Sequence, residues 1–147
     1  MIYSLYGQPG SGKTTLGKLM AGYLDTPFII DGDEFRGMFA NKNYGKEGRE
    51  KNIRNANAVA TYLNKRGKPA DKETHAVMSL VNPYKYLRDE LRENNEGQVI
   101  EILLKSNREL RKEYHVEDFE EGIPDYAMDT DRSVGDSWSE LKEMLKA

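Results

Sequence analysis

Ile2-Tyr3-Ser4-Leu5-Tyr6-Gly7-Gln8-Pro9-Gly10-Ser11-Gly12-Lys13-Thr14-Thr15 is the stretch on which the reading of this chain turns. The short run Ile2 to Tyr6, apolar or aromatic apart from Ser4, stops at a glycine-rich turn, the pattern of a buried strand feeding a loop. Beyond the turn Leu16, Leu19, Met20 and Tyr23 recur at helical spacing, which predicts a helix from about Lys13 to Leu24. Gly7 to Thr14 fits G-x-x-x-x-G-K-[ST], and it stands between a strand and a helix, the context the pattern requires. Glycines there let successive backbone N–H groups face inward around a phosphate, and the helix N-terminus adds positive potential. A lysine at position 13 reaches β- and γ-phosphates, and the Thr14 hydroxyl suits Mg²⁺. Gly7, Pro9, Gly10, Ser11, Gly12, Lys13, Thr14 and Thr15 are thus the candidate ATP-binding residues of the loop.

Working outward, Phe28-Ile29-Ile30 reads as a second strand that ends in a polar turn, Asp31-Gly32-Asp33. Met38 to Gly48, rich in Gly, Asn and Lys, reads as a loop. Ile53, Ala56, Ala60 and Leu63 place one apolar face on a long helix from Glu47 to Arg66. A third strand is expected over Thr74 to Val81, and Asn82-Pro83 opens a helix carrying Tyr84, Leu87 and Leu91. Val99 to Leu104 is a fourth strand and Ala127 to Asp129 a last one, before a helix bearing Trp138, Leu141 and Leu145. Strands alternating with helices predict an α/β fold of three layers, a mainly parallel sheet with helices on both faces. Ligands of such sheets gather beyond the carboxyl ends of the strands, so the polar stops after strands one, two and three are expected to share a cleft.

Composition narrows the chemistry. The chain has 147 residues, near the ~150 of one domain, so a single domain over 1–147 is expected. Cysteine is absent and histidine occurs twice, which removes thiolate nucleophiles, disulfides and cysteine-ligated metals and leaves little for zinc. A net charge of −3 gives no sign of a surface built for duplex nucleic acid. No run of ~20 apolar residues and no signal-peptide pattern occur, so a cytoplasmic, membrane-free protein is expected. His75 and His115 are read as a packed or edge residue and a residue of the lid region, because hard Mg²⁺ prefers oxygen ligands.

A phosphate loop alone serves kinases, GTPases, motors and switches. No guanine-reading N-K-x-D occurs, and the short chain leaves little room for motor accessories, which favours a small-molecule kinase of the P-loop NTPase fold. Asp31 and Asp33 flank Gly32 at the end of strand two, where metal and acceptor hydroxyl would meet. Lys13, Asp31 and Asp33 are therefore the candidate catalytic residues: Thr14 and Asp31 for the metal, Asp33 for orienting the hydroxyl.

Several segments resemble adenylylsulfate kinase, the family that phosphorylates the 3′-hydroxyl of adenosine 5′-phosphosulfate with MgATP. Asp31-Gly32-Asp33-Glu34-Phe35-Arg36 is similar to D-G-D-N-x-R, and Arg49-Glu50-Lys51-Asn52-Ile53-Arg54 to R-x-E-N-I-R. Val81-Asn82-Pro83-Tyr84 with Arg88 resembles I-S-P-Y and its arginine, and Phe119-Glu120-Glu121 with Pro124-Asp125 a late Y-E-x-P-x-x-P-[DE] segment. The resemblance implies ATP and Mg²⁺, an anionic nucleotide as acceptor, a homodimer by analogy, and substrate contacts at Asp33, Arg36, Tyr44, Arg49, Asn52, Val81 and Asn82. In it Tyr44 takes the place of an aromatic that stacks on the acceptor adenine, and the arginine forks suit a phosphosulfate. Three departures stand out: Asn82 replaces a serine, Asn55 replaces an arginine, and the lid is shortened to a stretch around 105–118, in which Arg108 or Arg111 would cover ATP. The family's second adenine-clamping aromatic has no direct match, with Tyr114 or Phe119 the substitutes. Two other readings remain open: a kinase for another small hydroxyl compound, nucleoside or polynucleotide 5′-end, and a nucleotide-binding protein without transferase activity.

Overall fold

A computed structural model describes residues 1–66, 74–107 and 115–146. Five strands form one all-parallel sheet: β1 (Ile2–Tyr6), β2 (Ile29–Asp31), β3 (Ala76–Leu80), β4 (Val99–Lys105) and β5 (Tyr126–Asp129), in the order β2-β3-β1-β4-β5. The helices are α1 (Lys13–Tyr23), α2 (Gly32–Met38), α3 (Lys46–Arg66), α4 (Lys85–Asn94) and α5 (Val134–Lys146). β1 sits centrally, with Ile2 opposite Ala76 on one side and Val99 on the other. Every residue of β3 is buried, Ser79 included, as expected of a strand in a sheet covered on both faces.

The pleat sorts the core into two layers. Ile2, Ile30, Met78 and Leu80 pack with Phe35 of α2, Ile53, Ala56 and Ala60 of α3, and Leu87 and Leu91 of α4. On the opposite face Leu5, Val77, Ile102 and Leu104 meet Leu16, Met20 and Ala21 of α1 and Leu141 of α5, with Trp138 packed alongside. α1 lies close enough to β3 that a Cβ on Gly17 would strike the Ser79 hydroxyl, so glycine sets that approach. None of the helices among the described residues is long and apolar enough to cross a membrane.

One expectation needs correction. The polar turn read at Asp31-Gly32-Asp33 and the start of the loop after it form α2, which follows β2 without a break. Two glycines hide it in sequence, but the Asp31 carboxylate accepts the Glu34 N–H at 3.2 Å as an N-cap, and Phe35 is buried in the core. Packing supplies what intrinsic propensity withholds.

Candidate active site

The segments that follow β1, β2 and β3 converge on one cleft of about 950 Å³ at the carboxyl edge of the sheet. One wall is the loop Gly7–Gly12, where Gly10 (φ 86°) and Gly12 (φ 94°) occupy the left-handed region that favours glycine. α1 has no side-chain N-cap, which leaves its first N–H groups for an anion. Lys13 is nearly buried, its Nζ donating to the Gln8 carbonyl at 2.8 Å and to Ser11 Oγ at 3.2 Å.

Three distant residues brace this loop. Ser79 Oγ donates to the Lys13 carbonyl at 3.1 Å, and Thr130 Oγ1 to the Ser11 carbonyl at 2.8 Å. Gln8 forms a two-point clasp with the Val116 backbone: Nε2 donates to its carbonyl at 2.8 Å, and the Val116 N–H donates to Oε1 at 2.9 Å. None of these braces was foreseen. Thr130 lies 119 residues from its partner, and no local signal marks it; the polar Gln8 inside the loop was the one visible hint.

Asp31 connects the two walls. Its Oδ1 accepts from Thr14 Oγ1 at 2.9 Å, while Oδ2 holds the α2 cap. A hydroxyl and a carboxylate in contact beside a phosphate loop are hard oxygen donors of the kind Mg²⁺ takes, since that ion keeps several waters and phosphate oxygens and needs few protein ligands. No group of three or more metal-binding side chains occurs among the described residues, so the site fits a shared metal better than a caged one. Asp33, the second residue of α2, also lines the cleft.

Arg36, Tyr44, Arg49, Asn52, Val81 and Asn82, the expected substrate contacts, all line the same cleft. Arg36 Nη1 donates to the Asn43 carbonyl at 2.9 Å, and its guanidinium lies 4.4 Å from the centre of the Tyr44 ring. Tyr44 is 71% exposed and stands open at the mouth. Arg49 Nε donates to the Tyr84 hydroxyl at 2.9 Å and Nη1 to the Tyr44 carbonyl at 2.9 Å, with Asp118 at 3.8 Å. Asn52 Nδ2 donates to the Gly32 carbonyl at 3.2 Å. Arg36 is thus aimed by a neutral carbonyl, which keeps its charge available to an anionic ligand, while Arg49 is held by two neutral oxygens with the Asp118 carboxylate nearby.

Other expected residues fall elsewhere. Phe119 does not line the cleft; its ring stacks on buried Tyr6 at 6.2 Å, so the alternative that made it an adenine clamp is replaced by a packing role. Arg108, Arg111 and Tyr114 lie outside the described residues, as does half of the expected lid, 108–114. His115 and Val116 line the cleft, and His75 packs edge-on against Tyr3 at 5.6 Å. Arg88, buried at 2% exposure, clamps the fold: it donates to the Asn82 carbonyl at 2.8 Å and the Glu120 carbonyl at 2.6 Å, and lies 4.4 Å from the Tyr6 ring centre. Burial pushes the Tyr6 phenol up to about 12, against the opposing pull of the Arg88 guanidinium, which favours the phenolate.

The family model described as adenylylsulphate kinase matches residues 1–120. The fold is similar to that of the Mycobacterium tuberculosis APS kinase CysC in complex with AMPPNP and APS, with a TM-score of 0.79 at 20% identity over 99% of this chain and 97% of that one. It is also similar to the crystal structure of APE1195, with a TM-score of 0.79 at 24% identity over 99% and 94% of the two chains. A gluconokinase from Sinorhizobium meliloti 1021 shares the fold with a TM-score of 0.62 at 18% identity over 98% and 94%. No functionally curated protein matches the sequence.

Proposed function

The chain belongs to the adenylylsulphate kinase family of ATP-dependent P-loop kinases, and from that premise we propose that it transfers the γ-phosphoryl group of ATP to the 3′-hydroxyl of adenosine 5′-phosphosulfate, giving 3′-phosphoadenosine 5′-phosphosulfate and ADP. The observation that carries this reading is the convergence in one cleft of Lys13 and Thr14, the Asp31 and Asp33 pair, and the Arg36, Tyr44, Arg49 and Asn52 group. The cleft volume of about 950 Å³ supports simultaneous binding of donor and acceptor.

In this mechanism the loop N–H groups hold the β-phosphate, and Lys13 turns from the Gln8 carbonyl to the oxygens between β- and γ-phosphorus. Thr14 and Asp31 would hold Mg²⁺, which would supply charge neutralisation for the transferred phosphoryl group. Asp33 accepts the hydrogen bond of the acceptor hydroxyl and takes its proton as the oxygen attacks the γ-phosphorus in line, while the bond to the β–γ bridging oxygen breaks and ADP leaves. Arg36 and Arg49 bind the phosphosulfate, and Tyr44 stacks on the adenine. No covalent enzyme intermediate is required.

A coupled ADP-release assay tests the assignment, with adenosine 5′-phosphosulfate, gluconate, a nucleoside and a 5′-hydroxyl oligonucleotide as acceptors. Only the first should accelerate ADP release, and Lys13→Ala should lower the single-turnover rate by roughly 10²–10³-fold with the fold intact. Acceleration by the oligonucleotide alone would move the acceptor to a polynucleotide end. MgATP binding without transfer to any acceptor would leave a nucleotide-binding protein.

A further inference from the structure

Asn82 follows β3 at the cleft wall with an unusual combination of features. Its residue is 1% exposed, yet both Oδ1 and Nδ2 lack a hydrogen-bond partner among the described residues. Its φ of +48° lies in the left-handed region, which asparagine tolerates better than most residues. The fold nonetheless holds it there, because Arg88 grips its carbonyl at 2.8 Å. A second unpartnered oxygen, Asn52 Oδ1, belongs to the same cleft lining. Buried polar groups are paired in the working state of a protein, so an amide left open on both atoms beside a ligand cleft calls for a ligand with a donor and an acceptor.

We propose that Asn82 is a specificity-determining residue whose carboxamide reads the purine edge of the acceptor, a reading that rests on the acceptor assignment above. Nδ2 donates to a ring nitrogen and Oδ1 accepts from the exocyclic amino group. A carboxamide presents its oxygen and nitrogen side by side in one plane, and the planar donor–acceptor edge of adenine is its two-point complement. A ribose hydroxyl meets only one of the two atoms in good geometry. On the edge formed by N7 and the C6 substituent, hypoxanthine presents two acceptors where adenine presents an acceptor and a donor, so the carboxamide oxygen meets an acceptor whichever way the amide turns, which rejects it.

The alternative is that asparagine is present only because the backbone is left-handed. Asn82→Gly separates the two, since glycine adopts the same φ and carries no amide. The measurement is kcat/KM for adenosine 5′-phosphosulfate and for inosine 5′-phosphosulfate at saturating ATP, with affinity for a non-hydrolysable ATP analogue as the control. The wild-type protein should prefer the adenine compound by about 10- to 100-fold, and Asn82→Gly should bring the ratio close to one with analogue affinity unchanged. A variant that phosphorylates adenosine 5′-phosphosulfate with the wild-type ratio overturns the role of the amide and leaves the kinase assignment standing. A wild-type protein inactive on adenosine 5′-phosphosulfate removes both. Should Asn82→Gly not fold, Asn82→Ala takes its place: it removes both amide atoms, and an unchanged ratio there refutes the proposal equally.

Discussion

Gly48, in the first turn of α3, faces the segment 41–45 that carries Tyr44, and a methyl group at this position has nowhere to go. A Cβ built there falls on the Asn43 carbonyl and lies 2.6 Å from Asn43 Cβ, against 3.4–4 Å for ordinary contact. The obstacle is backbone, so Gly48→Ala must push the segment outward by about 1 Å or more. That movement pulls on the bond from Asn41 Nδ2 to the Gly48 carbonyl, 2.8 Å, and on the bond from Arg36 Nη1 to the Asn43 carbonyl, 2.9 Å. One neutral and one charge-assisted hydrogen bond, at about 1 and about 2 kcal/mol, sum to roughly 3 kcal/mol. At about 1.4 kcal/mol per factor of ten, this is roughly 100-fold in affinity. The loss falls on the acceptor half alone, because Lys13 and the phosphate loop share no contact with segment 41–45 among the hydrogen bonds described. Steady-state kinetics with adenosine 5′-phosphosulfate varied should show acceptor KM rising by up to about 100-fold while calorimetry gives a near-wild-type affinity for the ATP analogue. An unchanged acceptor KM would refute the argument, and a fall in the urea midpoint without a change in KM would assign the segment a purely structural role.

Three further outcomes follow from the same geometry. Asp31→Asn keeps a side-chain oxygen for the α2 cap and should stay within about 0.5 kcal/mol of wild-type stability, while Mg²⁺ titration of activity shifts to higher concentration; Asp31→Ala should also lose about 1 kcal/mol in urea denaturation. Gln8→Ala leaves the Val116 N–H and carbonyl without their clasp, so it should cost about 1–2 kcal/mol and reduce the rise in melting temperature given by the ATP analogue. Tyr6 ionises at about 12 in the fold against 10.0 for a free phenol, so the unfolded chain releases its proton first as pH rises. Its contribution to stability is whole below pH 10, declines through 12, and should disappear from the pH–stability profile of Tyr6→Phe.

Much of the architecture is legible because it depends on local rules. The run Ile2 to Tyr6 with its glycine-rich stop, the apolar spacing of α3 and the buried run of β3 each state their element within a few residues. Helix α2 escapes the same rules, since Gly32 and Gly37 argue against a helix that the Asp31 cap and the burial of Phe35 nevertheless secure. The candidate residues Arg36, Tyr44, Arg49 and Asn52 carry no periodic or spacing signal of their own; they were found through likeness to a family, and chain folding alone brings them to one wall.

By itself the sequence determined the alternation of strands and helices, the phosphate-loop chemistry of Lys13 and Thr14, and the absence of thiol chemistry, because these depend on residue type and near-neighbour spacing. Tertiary structure alone decided the strand order β2-β3-β1-β4-β5, the bracing of the loop by Ser79, Gln8 and Thr130, and the burial of an unpartnered Asn82 amide. Each of those depends on which distant segments meet and on what is left unpaired when they do, and a linear pattern of residues carries no record of either.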